Sequence, residues 1–93
     1  MTNHQVSHDE DAQQFSATVD GVICELDYRL ADGVMTITHT GVPPQVEGRG
    51  IAAELTRTAL ETARARGWKV VAGCSFATGY MQRHPEFDDL RSR

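Results

Sequence analysis

The chain has 93 residues, of which 40% are hydrophobic and 24% charged, and its formal net charge is −4 at pH 7. This length and balance are typical of one soluble domain with a single modest core. No basic stripe is present, so binding along nucleic acid or to an anionic membrane is disfavoured. No apolar run reaches the length of a membrane span and no signal-peptide pattern opens the chain, so we expect a cytoplasmic protein.

The two cysteines, Cys24 and Cys74, are far apart in the sequence. They form neither a metal-ligand pair nor a disulfide framework, and free thiols fit a cytoplasmic chain. We therefore expect no metal. Residues 1–12 are polar and rich in His and Asp, and a flexible segment is favoured over a metal site because the spacing fits no known one. Residues 13–93 are expected to form the single domain.

Three alternating stretches come first, over residues 15–19, 22–30 and 34–42. Asp20-Gly21 and Asp32-Gly33 separate them, and Asp-Gly is a strong signal for a tight hairpin. The sequence therefore predicts a three-stranded antiparallel meander. The alternation of the third stretch places Met35, Ile37 and His39 on one inward face.

A helical pattern follows over residues 50–66, with Gly67 as its expected stop. Residues 68–73 are a short apolar strand, and residues 75–83 a second helix that ends before Pro85. A strand, a helix and a strand in sequence imply a right-handed crossover, so the third and fourth strands should be parallel. The predicted fold is thus mixed α and β: a meander, a β-α-β crossover to a parallel fourth strand, and a C-terminal helix.

The junction between the third strand and the first helix contains the strongest functional signal. Pro43 and Pro44 stop the strand, and Gly48 and Gly50 allow a tight turn. The first amides of a helix have no carbonyl partner, and with the helix dipole they form a site for an anion such as a phosphate. Neither a Walker A sequence nor Gly-x-Gly-x-x-Gly is present. The alternative is a plain glycine-rich turn.

Cys74 follows the fourth strand and directly precedes the second helix. Ligands bind outside the carboxyl ends of parallel strands, so topology places this thiol near the glycine loop. A helix N-terminus favours the thiolate, which would make Cys74 a nucleophile. The alternative is a buried structural cysteine. Cys24 lies on a strand face beside Leu26, and we assign it a structural role.

The order Gln45-x-x-Gly48-x-Gly50 resembles the Gln/Arg-x-x-Gly-x-Gly/Ala loop of the GNAT superfamily of N-acetyltransferases, which grips the pyrophosphate of coenzyme A. Further matches extend the likeness to a minimal, YjdJ-type GNAT-like family over nearly all of the chain beyond its first dozen residues. These matches are His39-Thr40-Gly41-Val42-Pro43-Pro44, Gly48-Arg49-Gly50-Ile51-Ala52, Cys74-Ser75-Phe76, Tyr80 and His84-Pro85-Glu86.

The resemblance implies a reduced GNAT core that binds coenzyme A or acetyl-CoA. The pyrophosphate would lie on the backbone of residues 46–51, and the family cysteine matches Cys74, which would act on the acetyl group. The residues expected to contact the cofactor are Val42, Gln45, Val46, Glu47, Gly48, Arg49, Gly50, Ile51, Ala52, Cys74 and Tyr80. The chain departs from the family at Gly41, where an acidic residue is common, and at Ala72-Gly73, where bulkier pairs are usual; Gly73 would either widen the cleft or loosen it.

His39 is the best candidate for a general base, because it ends the inward face of the third strand beside the loop and an imidazole accepts protons near neutral pH. The alternative is a histidine that satisfies a backbone group at the strand end. Tyr80 projects toward the same cleft, with core packing as its alternative role, and His84 is interpreted as part of a helix stop.

We therefore predict an acetyl-CoA-dependent N-acyltransferase whose acceptor is an unidentified amine, small or on a protein. The acetyl group passes either directly to the amine or first to Cys74. The alternative is a non-catalytic module that binds coenzyme A or acyl-CoA. A redox thiol protein is disfavoured because no Cys-x-x-Cys is present. A monomer or weak homodimer is expected.

Overall fold

The computed structural model describes residues 5–92, and these residues form a five-stranded sheet with helices on one face. The strands occur in the order β1 to β5 along both the chain and the sheet. The strands are β1 (Ser7–Asp9), β2 (Gln14–Val19), β3 (Val22–Ala31), β4 (Val34–Gly41) and β5 (Lys69–Ala72). The helices are α1 (Ile51–Arg66) and α2 (Ser75–Arg83), with 3₁₀ segments at Pro44–Val46 and Pro85–Leu90.

The predicted meander is confirmed: β2 pairs with β3 and β3 with β4, both antiparallel. The turns between them are tight because Asp20-Gly21 and Asp32-Gly33 both have positive φ at their two residues. That is the geometry of a two-residue hairpin, and it matches the right-handed twist of the strands. The predicted crossover is also confirmed, since β5 pairs with β4 in parallel after α1.

One strand was not expected. Residues 1–12 were predicted to be flexible, but Ser7–Asp9 forms β1 and pairs with β2. The His8 ring stacks on Phe15 with ring centroids 4.0 Å apart, and its Nε2 lies 2.7 Å from the Tyr28 hydroxyl. Glu10 pairs with Arg66 at the end of α1. Residues 1–4 of the predicted segment lie outside the described residues.

Helix α1 lies on the inner face of the sheet, and its apolar stripe forms the centre of the core. Ile51, Leu55, Ala59 and Ala63 are buried at intervals of four residues, the spacing of one side of a helix. Gly67 ends the helix with φ 73°, and its N–H donates to the carbonyls of Ala63 and Arg64. This left-handed stop turns the chain directly into β5.

The C-terminal segment has more structure than its charged sequence indicates. Pro85–Leu90 forms a 3₁₀ helix whose Phe87 and Leu90 side chains are buried in the core. The guanidinium of Arg64 lies over the Phe87 ring, and Ser92 N–H donates to the carbonyl of Val70. The C-terminal segment therefore covers the outer edge of β5.

A β-bulge at Thr38 changes the direction of the side chains that follow it. Tyr28 pairs with Ile37 but Asp27 pairs with His39, so Thr38 is the extra residue. Opposite residues of an antiparallel pair point to the same face, and a bulge shifts the alternation by one. His39 therefore lies on the open face of the sheet and is exposed. Our prediction that His39 shares the inward face of Met35 and Ile37 was wrong.

Candidate functional site

The glycine loop begins with a 3₁₀ turn that uses two of its own amides. Val46 N–H donates to the carbonyl of Pro43, and Glu47 N–H to that of Pro44. The Val46 side chain is buried in the core, which fixes the turn beneath α1. The predicted anion site over residues 46–51 is therefore corrected at its start, because the amides of Val46 and Glu47 are already bonded.

The amides that follow are free. Within the described residues, no protein oxygen accepts a hydrogen bond from the N–H groups of residues 48–53. The first intrahelical bond is from Glu54 N–H to the carbonyl of Gly50. Gly48 and Gly50 have φ of 83° and 75°, a conformation that side chains disfavour. Six consecutive donors at the positive end of α1 make a site for an anionic group.

A groove of about 480 Å³ extends from these amides to the end of β4; we call it the loop groove. It is bordered by the loop, the start of α1 and one side of α2. Its lining residues are Thr40, Val42, Glu47, Gly48, Gly50, Ile51, Ala52, Ala53, Phe76 and Arg83. The loop groove is mostly apolar and includes the glycine loop with its free amides, so it suits a ligand that has an apolar part and a charged group.

Thr40, which lines the loop groove, lies beside the fork where β4 and β5 separate. Their pairing ends at Ile37 and Ala72, and Gly73 N–H donates to the carbonyl of Ile37 at 2.8 Å. A Cβ on Gly73 would lie 2.7 Å from that carbonyl oxygen. Gly73 thus brings the two strands into close contact immediately before they diverge.

Cys74 lies at this fork on the inner side of the sheet. Its Sγ is 3.6 Å from Oγ1 of Thr40, which itself lines the loop groove. Cys74 is half-buried and is the residue that precedes α2, where its carbonyl accepts hydrogen bonds from the Thr78 N–H and hydroxyl. The structure therefore brings the predicted thiol into contact with one residue of the groove that begins at the glycine loop. Cys24 is fully buried, and burial raises the pKa of its thiol.

His39 does not join Cys74. Thr40 pairs with Leu26 on the inner face, whereas His39 pairs with Asp27 on the open face. The His39 ring extends over Gly41: its Nε2 is 3.0 Å from the position that a Cβ on Gly41 would occupy. Gly41 stands where an acidic residue is common in the family. Its pairing partner on β3 is Glu25, so a carboxylate lies beside this position.

Other predicted cofactor residues have different environments. The Arg49 guanidinium pairs with Asp20 of the first hairpin at 2.6 Å, and both side chains are exposed. Gln45 is exposed on the 3₁₀ turn. Tyr80 is only 3% exposed, and its ring stacks on His84 with centroids 4.1 Å apart. Burial raises the pKa of Tyr80. This environment fits the alternative role given above for Tyr80, that of a residue packed in the core. Tyr80 also lines a small groove beside Gly50.

Four residues of the loop groove were not among the predicted cofactor residues: Thr40, Ala53, Phe76 and Arg83. Thr40 was quoted only as part of a motif, and its inward direction depends on the bulge. Arg83 is in the last turn of α2 and supplies a cation to the groove, which the carboxylate of Glu47 also lines. A basic residue in the last turn of a helix is usually explained by its interaction with the helix dipole. Nothing else in the sequence indicates that Arg83 lines a groove.

Among residues 5–92, no group of three or more His, Cys, Asp or Glu side chains is placed to hold a metal ion. None of the helices in that range has the length and apolar character needed to cross a membrane.

The chain matches the GCN5-related N-acetyltransferase family over residues 14–90. It is 28% identical over 85 residues to two vertebrate proteins, both named Protein NATD1, from Gallus gallus and Mus musculus; the match covers 87% of this chain and 76% of each relative. The NMR solution structure of a GCN5-like protein from Staphylococcus aureus superimposes with a TM-score of 0.75 at 28% identity, covering 99% of this chain and 91% of that one. The chain belongs to the family of GCN5-related N-acetyltransferases.

Proposed function

We propose that this protein transfers an acetyl group from acetyl-CoA to an amine. One observation carries the proposal: the groove at the start of α1 also includes Thr40, whose hydroxyl lies 3.6 Å from the half-buried thiol of Cys74. Acetyl-CoA has a diphosphate at one end of a narrow arm and a thioester at the other. The free amides suit the diphosphate, and the apolar groove suits the arm.

In this arrangement the amides of Gly48 to Ala53 hold the diphosphate, and Arg83 adds a positive charge beside it. The arm follows the edge of β4 beyond Ile37, where the pairing with β5 has ended. An amide-containing chain can add to such an edge as a short strand. The thioester then lies at the fork, next to Thr40 and Cys74.

Two routes lead from there to the acetylated amine. In direct transfer, the amine nitrogen bonds to the thioester carbon, the carbon–sulfur bond breaks, and the sulfur leaves as a thiolate that takes a proton. In the covalent route, the Cys74 thiolate displaces coenzyme A first, and the amine then attacks the new thioester on Sγ. The 3.6 Å contact between Thr40 and Cys74 provides a hydroxyl that can orient the sulfur.

The test is release of free coenzyme A, measured by a thiol reagent over a panel of alkylamines, lysine derivatives and peptides, combined with mass spectrometry of the protein. We expect amine-dependent release. One added acetyl group on wild type, absent from Cys74→Ser, identifies the covalent route, and full activity of Cys74→Ser identifies direct transfer. No release with any amine contradicts the proposed transfer.

A second function is favoured by one specific observation. Among residues 5–92, Thr40 is the sole hydrogen-bonding partner of the Cys74 sulfur, and His39 is on the other face of the sheet. Among these residues, the sulfur thus has no basic side chain as a hydrogen-bonding partner, which is what a non-catalytic acyl-CoA-binding module would show. Micromolar binding of acetyl-CoA, with neither acetylated protein nor released coenzyme A, would favour that function.

A further inference from the structure

We infer that Asp20 is a positioning residue of the glycine loop: it holds the Arg49 guanidinium away from the loop groove and releases it when a diphosphate binds. This inference rests on the function proposed above, because the diphosphate is that of coenzyme A or acetyl-CoA. The free amides of residues 48–53 determine where such a group lies. The ion pair between Asp20 and Arg49 regulates how tightly it is held.

Arg49 lies in the middle of the free amides, but its side chain is engaged elsewhere. Gly48 and Gly50, on either side of it, line the loop groove, and Arg49 is not among the lining residues. Its Nη1 instead donates to Oδ2 of Asp20 at 2.6 Å. A cation that belongs to the anion site is therefore bound to a carboxylate from another part of the chain.

The carboxylate of Asp20 has a fixed position in the hairpin between β2 and β3. Asp20 and Gly21 are the two residues of that turn, with φ of 52° and 75°. The pair of Val19 and Val22 closes the turn, and Val19 is buried in the core. An exposed side chain changes rotamer faster than a closed turn moves. Arg49 is therefore the partner that can leave.

The ion pair is weak enough to be exchanged for another partner. The side chains of Arg49 and Asp20 are 45% and 67% exposed. Ion pairs with this exposure contribute little, because water and salt screen both charges. A diphosphate on the neighbouring amides presents several charged oxygens, and a guanidinium can donate two parallel hydrogen bonds to them. The diphosphate is therefore the stronger partner for Arg49.

The charge of the loop groove also favours this exchange. Among the described residues that line it, Glu47 and Arg83 are charged, and their formal charges cancel. A bound diphosphate is doubly negative, and backbone N–H groups supply only partial charges. Arg49 can supply the further cation, because its own N–H is one of the six free donors. Asp20 thus competes with the diphosphate for Arg49 and lowers the affinity of the loop.

The first test is a double-mutant cycle on the affinity for coenzyme A, measured by titration calorimetry at low salt. Asp20→Asn keeps the hairpin, because asparagine suits a positive φ before glycine. Arg49→Gln removes the cation. The matched control is Asp89→Asn, which removes the same charge from the Arg64–Asp89 pair, whose side chains are 44% and 66% exposed.

For Asp20→Asn we expect the affinity for coenzyme A to rise about two- to fivefold, the effect of removing one exposed ion pair. Asp89→Asn should leave the affinity nearly unchanged. In the Arg49→Gln background, Asp20→Asn should have a much smaller effect, because no guanidinium remains to be released. Equal effects of Asp20→Asn in the two backgrounds would overturn the inference. A weaker affinity in Asp20→Asn would also overturn it, because the ion pair would then support the loop.

The second test uses the wild-type chain, labelled with ¹⁵N and titrated with inorganic diphosphate or with coenzyme A. The side-chain Nε–Hε signal of Arg49 and the amide signals of Asp20 and Gly21 should shift together with the amides of residues 48–53. Residues 20 and 21 do not line the loop groove, so their shifts report the lost ion pair. Shifts at residues 48–53 without a shift of the Arg49 side chain would overturn the inference, as would no shift at residues 48–53 with either probe.

The two tests measure binding and not transfer, so the two proposals can fail separately. Coenzyme A that binds with the expected coupling but is never released from acetyl-CoA by an amine contradicts the proposed transfer alone. Acetyl transfer by a protein whose Asp20 and Arg49 substitutions have independent effects overturns the present inference alone.

Discussion

Thr40 and Cys74 face each other across the fork of β4 and β5, with Oγ1 and Sγ 3.6 Å apart. They are 34 residues apart in sequence, and two separate features bring them together. The bulge at Thr38 turns Thr40 inward, and the short strand β5 delivers Cys74 to the same level. The contact is therefore sensitive to any change that moves one strand relative to the other.

Thr40→Val tests the role of this hydroxyl, because valine has the same shape and no hydrogen-bonding group. We expect alkylation of Cys74 by iodoacetamide at fixed pH to slow about two- to tenfold, the effect of one lost hydrogen bond to the sulfur. Thr18→Val, on the exposed part of β2, is the control and should leave the rate unchanged. An unchanged rate in Thr40→Val would show that the contact does not influence the thiol.

Gly50→Ala tests the left-handed start of α1. Nothing lies within 4 Å of the position of the new Cβ, so any cost comes from the backbone at φ 75°. We expect the free energy of unfolding to fall by about 1–2 kcal/mol. We also expect coenzyme A binding to weaken, because the amides lose their alignment. The control is Gly79→Ala in the interior of α2. The free energy of unfolding of this variant should rise by roughly 0.5–1 kcal/mol, because alanine suits a helical position better than glycine. Equal stability changes in the two variants would contradict the assignment.

Gly73→Ala tests the close contact of the strands before the fork. Its Cβ would lie 2.7 Å from the carbonyl oxygen of Ile37, which is backbone and cannot rotate away. We expect a loss of about 1–3 kcal/mol in chemical denaturation, as in other overpacked sites, together with altered amide shifts for Cys74 and Ser75. A variant as stable as wild type, with unchanged shifts, would mean that the strands separate freely at this point.

The contact of His8 with Tyr28 predicts a pH dependence of stability. Burial lowers the pKa of His8, so the folded state favours the neutral imidazole. The unfolded chain then binds more protons as the pH falls through the usual value of 6.5, and the free energy of unfolding should decrease from there toward the lower folded pKa. Above that range the contribution is fully present.

The measurement for His8 is denaturation of wild type and His8→Asn at several values between pH 8 and pH 5. The difference in unfolding free energy between the two proteins should shrink as the pH falls, because only the wild type carries the imidazole. A difference that is constant or that grows at acid pH would contradict the neutral, half-buried state of His8.

Much of the fold was predictable because its signals are local. The Asp-Gly pairs specify the hairpins, and the four-residue spacing from Ile51 to Ala63 specifies the buried side of α1. β1 was missed because Ser7–Asp9 is polar: it is held by the ring of His8 on Phe15 and Tyr28, a contact with no periodic signal. The C-terminal 3₁₀ helix was missed because only two of its residues are apolar.

The site was predictable to the extent that topology determined it. The glycine loop and Cys74 both follow parallel strands, so their proximity could be inferred from the crossover alone. The direction of the His39 side chain could not be predicted. The bulge residue Thr38 reverses the direction of every side chain after it, whereas a prediction from alternation assumes a strand without a bulge. The use of the Val46 and Glu47 amides within the 3₁₀ turn likewise depends on the conformation after the prolines.

The most direct test of the central claim is a titration of the ¹⁵N-labelled protein with coenzyme A, followed through the amides of Gly48 to Ala53. The account predicts large, saturable shifts at these amides and at Thr40, with small shifts at Val46 and Glu47, whose N–H groups are already bonded. Saturable binding that leaves residues 48–53 unshifted and perturbs another part of the chain would contradict it.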